Sequence, residues 1–256
     1  MDDATRIDAF IARWQGADGR ERANYQLFLT ELAALLELPA PEPASADDRA
    51  NAYVFERRVG FRHGDGSESW GYIDLYRRGA FVLEAKDVKE SNDQRYDQGM
   101  LRARSQAENY ARALPADEGR PPFVVVVDVG RSIELYSEFS RSGATYTPFP
   151  DPRSHRIRLD DLRDAEIRER LRALWLEPLS LDPTRRSARV TREIAAHLAE
   201  LARSLERADH APQASAGFLT RCLFTLFAEA VELIPKNAFR ELLETLKDNT
   251  AQFQPM

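Results

Sequence analysis

The sequence predicts an α/β (α+β) domain, a mixed β-sheet flanked by helices, followed by an all-helical region. Three observations carry this prediction. Apolar residues alternate with period two through three successive segments between residues 53 and 87. A helical repeat over residues 97–114 then leads into Phe123-Val-Val-Val-Val127, the unbroken β-branched run of a strand covered on both faces, so the helix joins two parallel strands. Beyond Pro152 the alternation stops and only helical periodicity remains.

The first helix is expected over residues 21–37, where Phe28, Leu29, Leu32, Leu35 and Leu36 form one apolar stripe, and the loop from Pro39 to Pro43 ends it. Residues 53–59, 70–76 and 80–87 read as three consecutive strands. The helix over 97–114 carries Met100, Ala103, Ala107, Tyr110, Ala111 and Leu114 on one face until Pro115 stops it. Residues 133–139 add a further strand after the valine run, which gives the order α-β-β-β-α-β. Helices follow over 164–174, 187–207, 216–234 and 239–246, with 211–217 as a loop. The helix over 216–234 is apolar around its circumference, which predicts that partners enclose it. The chain divides on this reading into residues 1–155 and residues 156–256, and its end at Phe253-Gln-Pro-Met256 suggests a polypeptide that continues into another domain.

Bulk properties narrow the function. At 256 residues and 43% hydrophobic content the chain builds a real core. A net charge of -6 excludes a global basic field, so contact with nucleic acid must be a local patch. The single cysteine, Cys222, lies in an apolar run and excludes an internal disulfide. His63, His155, His197 and His210 are scattered at spacings that build no zinc site. Neither a leader pattern nor an apolar run of about 18 residues is present, so a soluble cytoplasmic protein without a membrane partner is expected.

The chemistry is concentrated in one hairpin. Nine residues separate Asp74 from Glu84, and Lys86 follows two places later. Alternation places Ile73 and Leu75 on a core face, with Tyr72, Asp74 and Tyr76 opposite. In the next strand Phe81, Leu83 and Ala85 face one way and Val82, Glu84 and Lys86 the other. A three-residue turn, Arg77-Arg78-Gly79, keeps the faces in register. It pairs Tyr76 with Ala80 and Asp74 with Val82, making Asp74 and Glu84 diagonal neighbours. Two carboxylates on one face suit a hard divalent cation such as Mg2+, and a nearby ammonium can meet a phosphate oxygen or an attacking water. Only four of the 36 basic residues are lysines, so a lysine at position 86 stands out.

Asp74, nine residues, then Glu84-Ala-Lys86, in the element order α-β-β-β-α-β, resembles the PD-(D/E)xK nuclease superfamily, although Ile73 replaces the proline that names it. Gln106-Ala-Glu-Asn-Tyr110 resembles the Q-x-x-x-Y signature of its RecB-like branch, with both side chains on one helical face. The wider frame is similar to the N-terminal part of MmeI-like type IIL and IIG restriction-modification enzymes. The stretches that carry it are Glu21 to Leu36, Phe55-Glu56, Gly71 to Asp74, Glu84 to Lys86, Gln106 to Tyr110 and Leu223-Phe-Thr-Leu-Phe-Ala-Glu229, with Ala230 standing where an acidic residue is expected.

The resemblance implies a restriction-endonuclease-like core followed by a helical spacer. It implies a Mg2+-dependent endonuclease module, with Mn2+ as a substitute, that hydrolyses double-stranded DNA. Asp74, Glu84 and Lys86 would be catalytic, Asp74 and Glu84 the metal ligands, and Gln106, Tyr110, Glu56 and Glu21 supporting residues. Arg77, Arg78, Arg102 and Arg104, with Arg95 beside them, are candidate DNA contacts around the turn and the second helix. The methyl-donor loop and the N-P-P-Y-like motif of such enzymes are not in this sequence, and Arg120-Pro-Pro-Phe123 lacks the side chain that would bind the base amine. S-adenosylmethionine thus belongs to an absent domain, and methyltransferase and target-recognition domains are expected partners, with dimerisation on DNA. A non-catalytic nuclease-fold scaffold or DNA-binding module for phage defence is the alternative.

Overall fold

The structure, a computed structural model, describes residues 2–17, 21–62, 64–86 and 93–247. Helices α1 (Asp3–Gln15) and α2 (Glu21–Leu35) precede three strands, β1 (Tyr53–Arg62), β2 (Glu68–Arg77) and β3 (Phe81–Lys86). Helix α3 (Asp93–Ala113) crosses to β4 (Phe123–Asp128), and β5 (Ser132–Ser137), β6 (Thr147–Pro148) and β7 (Arg156–Arg158) complete the sheet. The order is β1-β2-β3-β4-β5-β6, with β7 also paired to β5; among the described strand pairs β3–β4 is the parallel one, and an isolated bridge joins Glu42 to Val54 in parallel. The fold is therefore the mixed sheet with flanking helices that the alternation and the crossover predict.

Both faces of the sheet are covered. One is packed by Ile7, Phe10, Ile11 and Trp14 of α1, by Phe28, Leu32 and Leu36 around α2, and by Leu171, Leu174 and Trp175. The other carries Met100, Ala103, Ala107, Tyr110, Ala111 and Leu114 of α3 against Ile73, Tyr76, Val82, Val124 and Val126. Helix α1 is absent from the sequence reading, although its buried residues follow the i, i+3, i+4, i+7 spacing. The Asp2 side chain caps it by accepting from the Thr5 N–H at 2.8 Å.

Two expectations for the central hairpin are corrected. The strands pair Leu75 with Leu83, Tyr76 with Val82 and Arg77 with Phe81, so the turn is Arg78-Gly79-Ala80 rather than Arg77-Arg78-Gly79. The odd loop length is as expected, and Gly79 takes the left-handed conformation at φ +72°. A slip of two residues does not change which side chains share a face, so face pattern alone does not distinguish the two registers. Continued by one residue, the observed register sets Asp74 opposite Glu84 rather than diagonal to it. The strict alternation of β2 also breaks. Ile73 and Tyr76 join the α3-side core, whereas Leu75 joins the opposite one. The switch occurs at Asp74, across from Glu56, which holds φ +53° within β1 and interrupts the ladder between Phe55–Leu75 and Arg57–Ile73.

Helix α4 (Ala165–Leu176) belongs to this first core, so the expected division near residue 155 is too early. The compact units divide between Arg186 and Ser187. Trp175 explains why: its ring lies 4.5 Å from that of Phe81, and its Nε1 donates to the Tyr53 hydroxyl at 3.0 Å. The second unit holds most of α5 (Pro183–Arg207), with α6 (Pro212–Ala230) and α7 (Ala238–Leu246). The expected loop over 211–217 is instead mostly the first turns of α6, with Pro212 in the first helical position. Enclosure of α6 is not provided by the described residues, since Phe224 is 70% exposed and Phe227 59%. Glu229 caps α7, accepting from the N–H groups of Asn237 at 2.5 Å and Phe239 at 3.3 Å. Among the described residues no helix is long and apolar enough to cross a membrane.

Truncation of Trp175 tests the boundary. Trp175→Ala is expected to destabilise the sheet unit by about 3–5 kcal/mol, read as a lowered denaturation midpoint. A midpoint within about 0.5 kcal/mol of wild type would return α4 to the helical unit.

Candidate active site

The site lies where β2 and β3 diverge. Past the Leu75–Leu83 pair the backbone ladder between the strands ends, and the Asp74 side chain takes over: Oδ2 accepts from the Ala85 N–H at 2.7 Å. This bond satisfies a buried backbone donor and fixes the carboxylate beside Glu84. Glu84 is 1% exposed in the interior strand β3, with Val126 of parallel β4 directly alongside. Lys86, two residues on and on the same face, places Nζ 2.6 Å from Glu84 Oε1. Its side chain is 28% exposed, against 2% for that of Glu84. A sealed carboxylate is thus bridged to a cation that still reaches solvent.

Helix α3 brings the Gln106 and Tyr110 pair to the same place. Gln106 Nε2 donates to the Tyr110 hydroxyl at 3.0 Å. Burial pushes the Tyr110 hydroxyl above the usual tyrosine range, the bond from Gln106 opposes this, and the charges of Glu84 and Asp74 reinforce it. The Tyr110 ring packs close to the Gly71 backbone, where an added Cβ would come within 2.5 Å of its ring and 3.0 Å of that of Phe61. Glycine at position 71 is therefore a packing requirement of the tyrosine.

Glu56 sits across from Asp74 on the opposite side of β2. It accepts a short hydrogen bond from the Tyr25 hydroxyl of α2, and Gln26 Nε2 donates to that hydroxyl at 3.0 Å. Burial raises the Tyr25 hydroxyl first, followed by the bond to Glu56, with Asp74 adding to the effect. Asp74 is thus felt by Tyr25 from the α2 side and by Tyr110 from the α3 side. A left-handed glutamate inside a strand costs on the order of 1–3 kcal/mol, which the surrounding structure must offset. The Glu21 side chain lies outside the described residues, as does His63.

The four candidate arginines are not gathered at this centre. Arg77 stacks over the Tyr53 ring at 4.7 Å. Arg78 reaches Glu118 at 3.5 Å and the Arg49 carbonyl at 2.5 Å. Arg104 bonds Glu108 at 2.8 Å and the Tyr146 carbonyl, and lies 4.4 Å over the Tyr136 ring. Only Arg102 is exposed on α3 beside Gln106. Sequence reasoning also passed over Asp128, which ends the valine run, is 1% exposed and pairs in register with Lys86. An acidic residue closing so apolar a strand was the available signal.

Donor chemistry fits a hard cation. Among the described residues no group of three potential ligands converges, and the candidate set is the Asp74 and Glu84 pair. Mg2+ needs only one or two protein carboxylates, since it keeps several waters.

Residues 2–208 match the family described as MmeI, N-terminal domain, and residues 213–256 match MmeI, helicase spacer domain. The chain belongs to the MmeI family. These are modules of a restriction enzyme, and their seam falls between α5 and α6. Comparison with curated proteins and with solved structures gave no match. By sequence, α5 goes with the MmeI N-terminal domain, although its backbone after Arg186 clusters with α6 and α7.

Gly71→Ala tests the packing of the α3 pair against the strand. It is expected to cost about 1–3 kcal/mol by displacing Tyr110, with a matching drop in the denaturation midpoint. An unchanged midpoint would show that Tyr110 does not rest on Gly71.

Proposed function

We propose that this chain is the Mg2+-dependent endonuclease module of a cytoplasmic restriction-modification enzyme, acting on double-stranded DNA. The observation that carries the reading is the Asp74 Oδ2 to Ala85 N–H bond. It holds one carboxylate beside a second, sealed carboxylate whose partner is a lysine. A divalent ion held by Asp74 and Glu84, Mg2+ or Mn2+, would orient a water and stabilise charge on the phosphate. Lys86 supplies the remaining cation: tethered to Glu84 Oε1 yet partly open to solvent, its ammonium can meet a phosphate oxygen or the attacking water. Gln106 and Tyr110 wall the α3 side of the centre, and Tyr25 fixes Glu56 on the α2 side, so both flanks are held before substrate arrives. Base modification requires S-adenosylmethionine, a methyltransferase and a target-recognition domain elsewhere in the enzyme, and cutting both strands with one such centre calls for two copies to meet on DNA.

Lys86→Ala in the enzyme that carries this module is expected to lower the cleavage rate at least about a hundredfold while leaving methylation intact. Cleavage within about twofold of wild type would favour a non-catalytic scaffold.

A further inference from the structure

A groove of about 880 Å³ runs between the outer end of β1 and α3, and its inner wall is Gln106 and Tyr110. Three arginines line it, Arg62, Arg102 and Arg112, and among the described residues no aspartate or glutamate does. The chain carries a net charge of -6, and many of its arginines meet carboxylates nearby. Glu118 meets Arg57 and Arg78, Glu108 meets Arg104 and Arg112, and Glu134 meets Arg156. Arg112 is further held by the carbonyls of Gly143 and Ala144. Arg102, by contrast, is exposed and makes no ion pair among the described residues. Arg62 is 89% exposed, and its pair with Glu68 at 3.2 Å is a surface contact of little worth. Phe61 and Leu101 add apolar surface to the same lining.

Two exposed guanidinium groups, Arg102 without an ion pair among the described residues and Arg62 held only by a surface contact, beside apolar surface fit a polyanion with apolar segments between its charges. We propose that the groove holds the sugar–phosphate backbone of one DNA strand to one side of the cut, Arg62 and Arg102 each on a phosphate and Phe61 and Leu101 against the sugars. The proposal rests on the nuclease reading of the adjoining centre, which identifies the polyanion as DNA. Arg102 is a positioning residue here, because phosphate contacts set register rather than read sequence.

Duplex binding by the whole chain, followed by fluorescence anisotropy from about 50 to 200 mM salt with a chelator present, tests it. In the double variant Arg62→Ala/Arg102→Ala the slope of log affinity against log salt is expected to fall by about two, with a loss of roughly tenfold or more in affinity at low salt. Arg62→Lys/Arg102→Lys is expected to keep the slope, since lysine preserves the charge on each phosphate. Both side chains are exposed, so folding is not at risk. Failure of the wild-type chain to bind duplex, or an unchanged slope in the alanine variant, overturns the proposal. The chelator separates this result from the metal centre, so a silent metal centre leaves the groove result standing.

Discussion

The bond from the Ala85 N–H to Asp74 Oδ2 is the constraint on which this arrangement depends. Neighbouring strands of a central sheet cannot diverge without orphaning a backbone donor, and a buried orphan costs on the order of 1–3 kcal/mol. Asp74 satisfies that donor with a side chain in place of a ladder carbonyl. Its negative charge is thereby pinned at the fork, opposite Glu84, while β1 crosses the same point with Glu56 in a left-handed turn. The alternation of β2 switches at this fork, so Ile73 and Tyr76 meet α3 while Leu75 meets the other layer.

The layers on either side hold the fork in place. Helix α3 contributes Tyr110, whose ring needs the bare backbone of Gly71, and α2 contributes Tyr25, whose hydroxyl fixes Glu56. Away from the fork, Arg78 of the hairpin turn reaches Glu118 at 3.5 Å, and Glu118 also forms a largely buried ion pair with Arg57 of β1 at 2.7 Å. The Tyr76 hydroxyl also donates to Glu118, at 2.6 Å. Such a pair is costly to break from one side only, so it resists slippage of the strands that carry the carboxylates. MmeI-family membership agrees with this architecture over residues 2–208.

Much of this was legible in the sequence because period-two and period-3.6 patterns encode which face is buried. The three strands, the crossover helix and the valine strand follow from that alone, as does the common face of Val82, Glu84 and Lys86. The hairpin register was not legible, because a slip of two residues preserves every face. Helix α1 carried a readable stripe in Ile7, Phe10, Ile11 and Trp14 that the sequence reading missed. The α4 boundary depended on Trp175 meeting Phe81, a tertiary contact that local pattern does not carry. The roles of the arginines were likewise hidden: Arg78 and Arg104 are drawn to Glu118 and Glu108, whereas Arg102 lines a groove with no carboxylate among the described residues.

The proposed metal centre is a single cation site shared by Asp74 and Glu84. Calorimetric titration of Mn2+ into this chain and into Asp74→Asn tests it most directly. The account predicts a stoichiometry near one in the wild-type chain and no comparable binding in the variant, whose side-chain oxygen can still accept from Ala85. Equal binding in both chains, or none in the wild type, would contradict it.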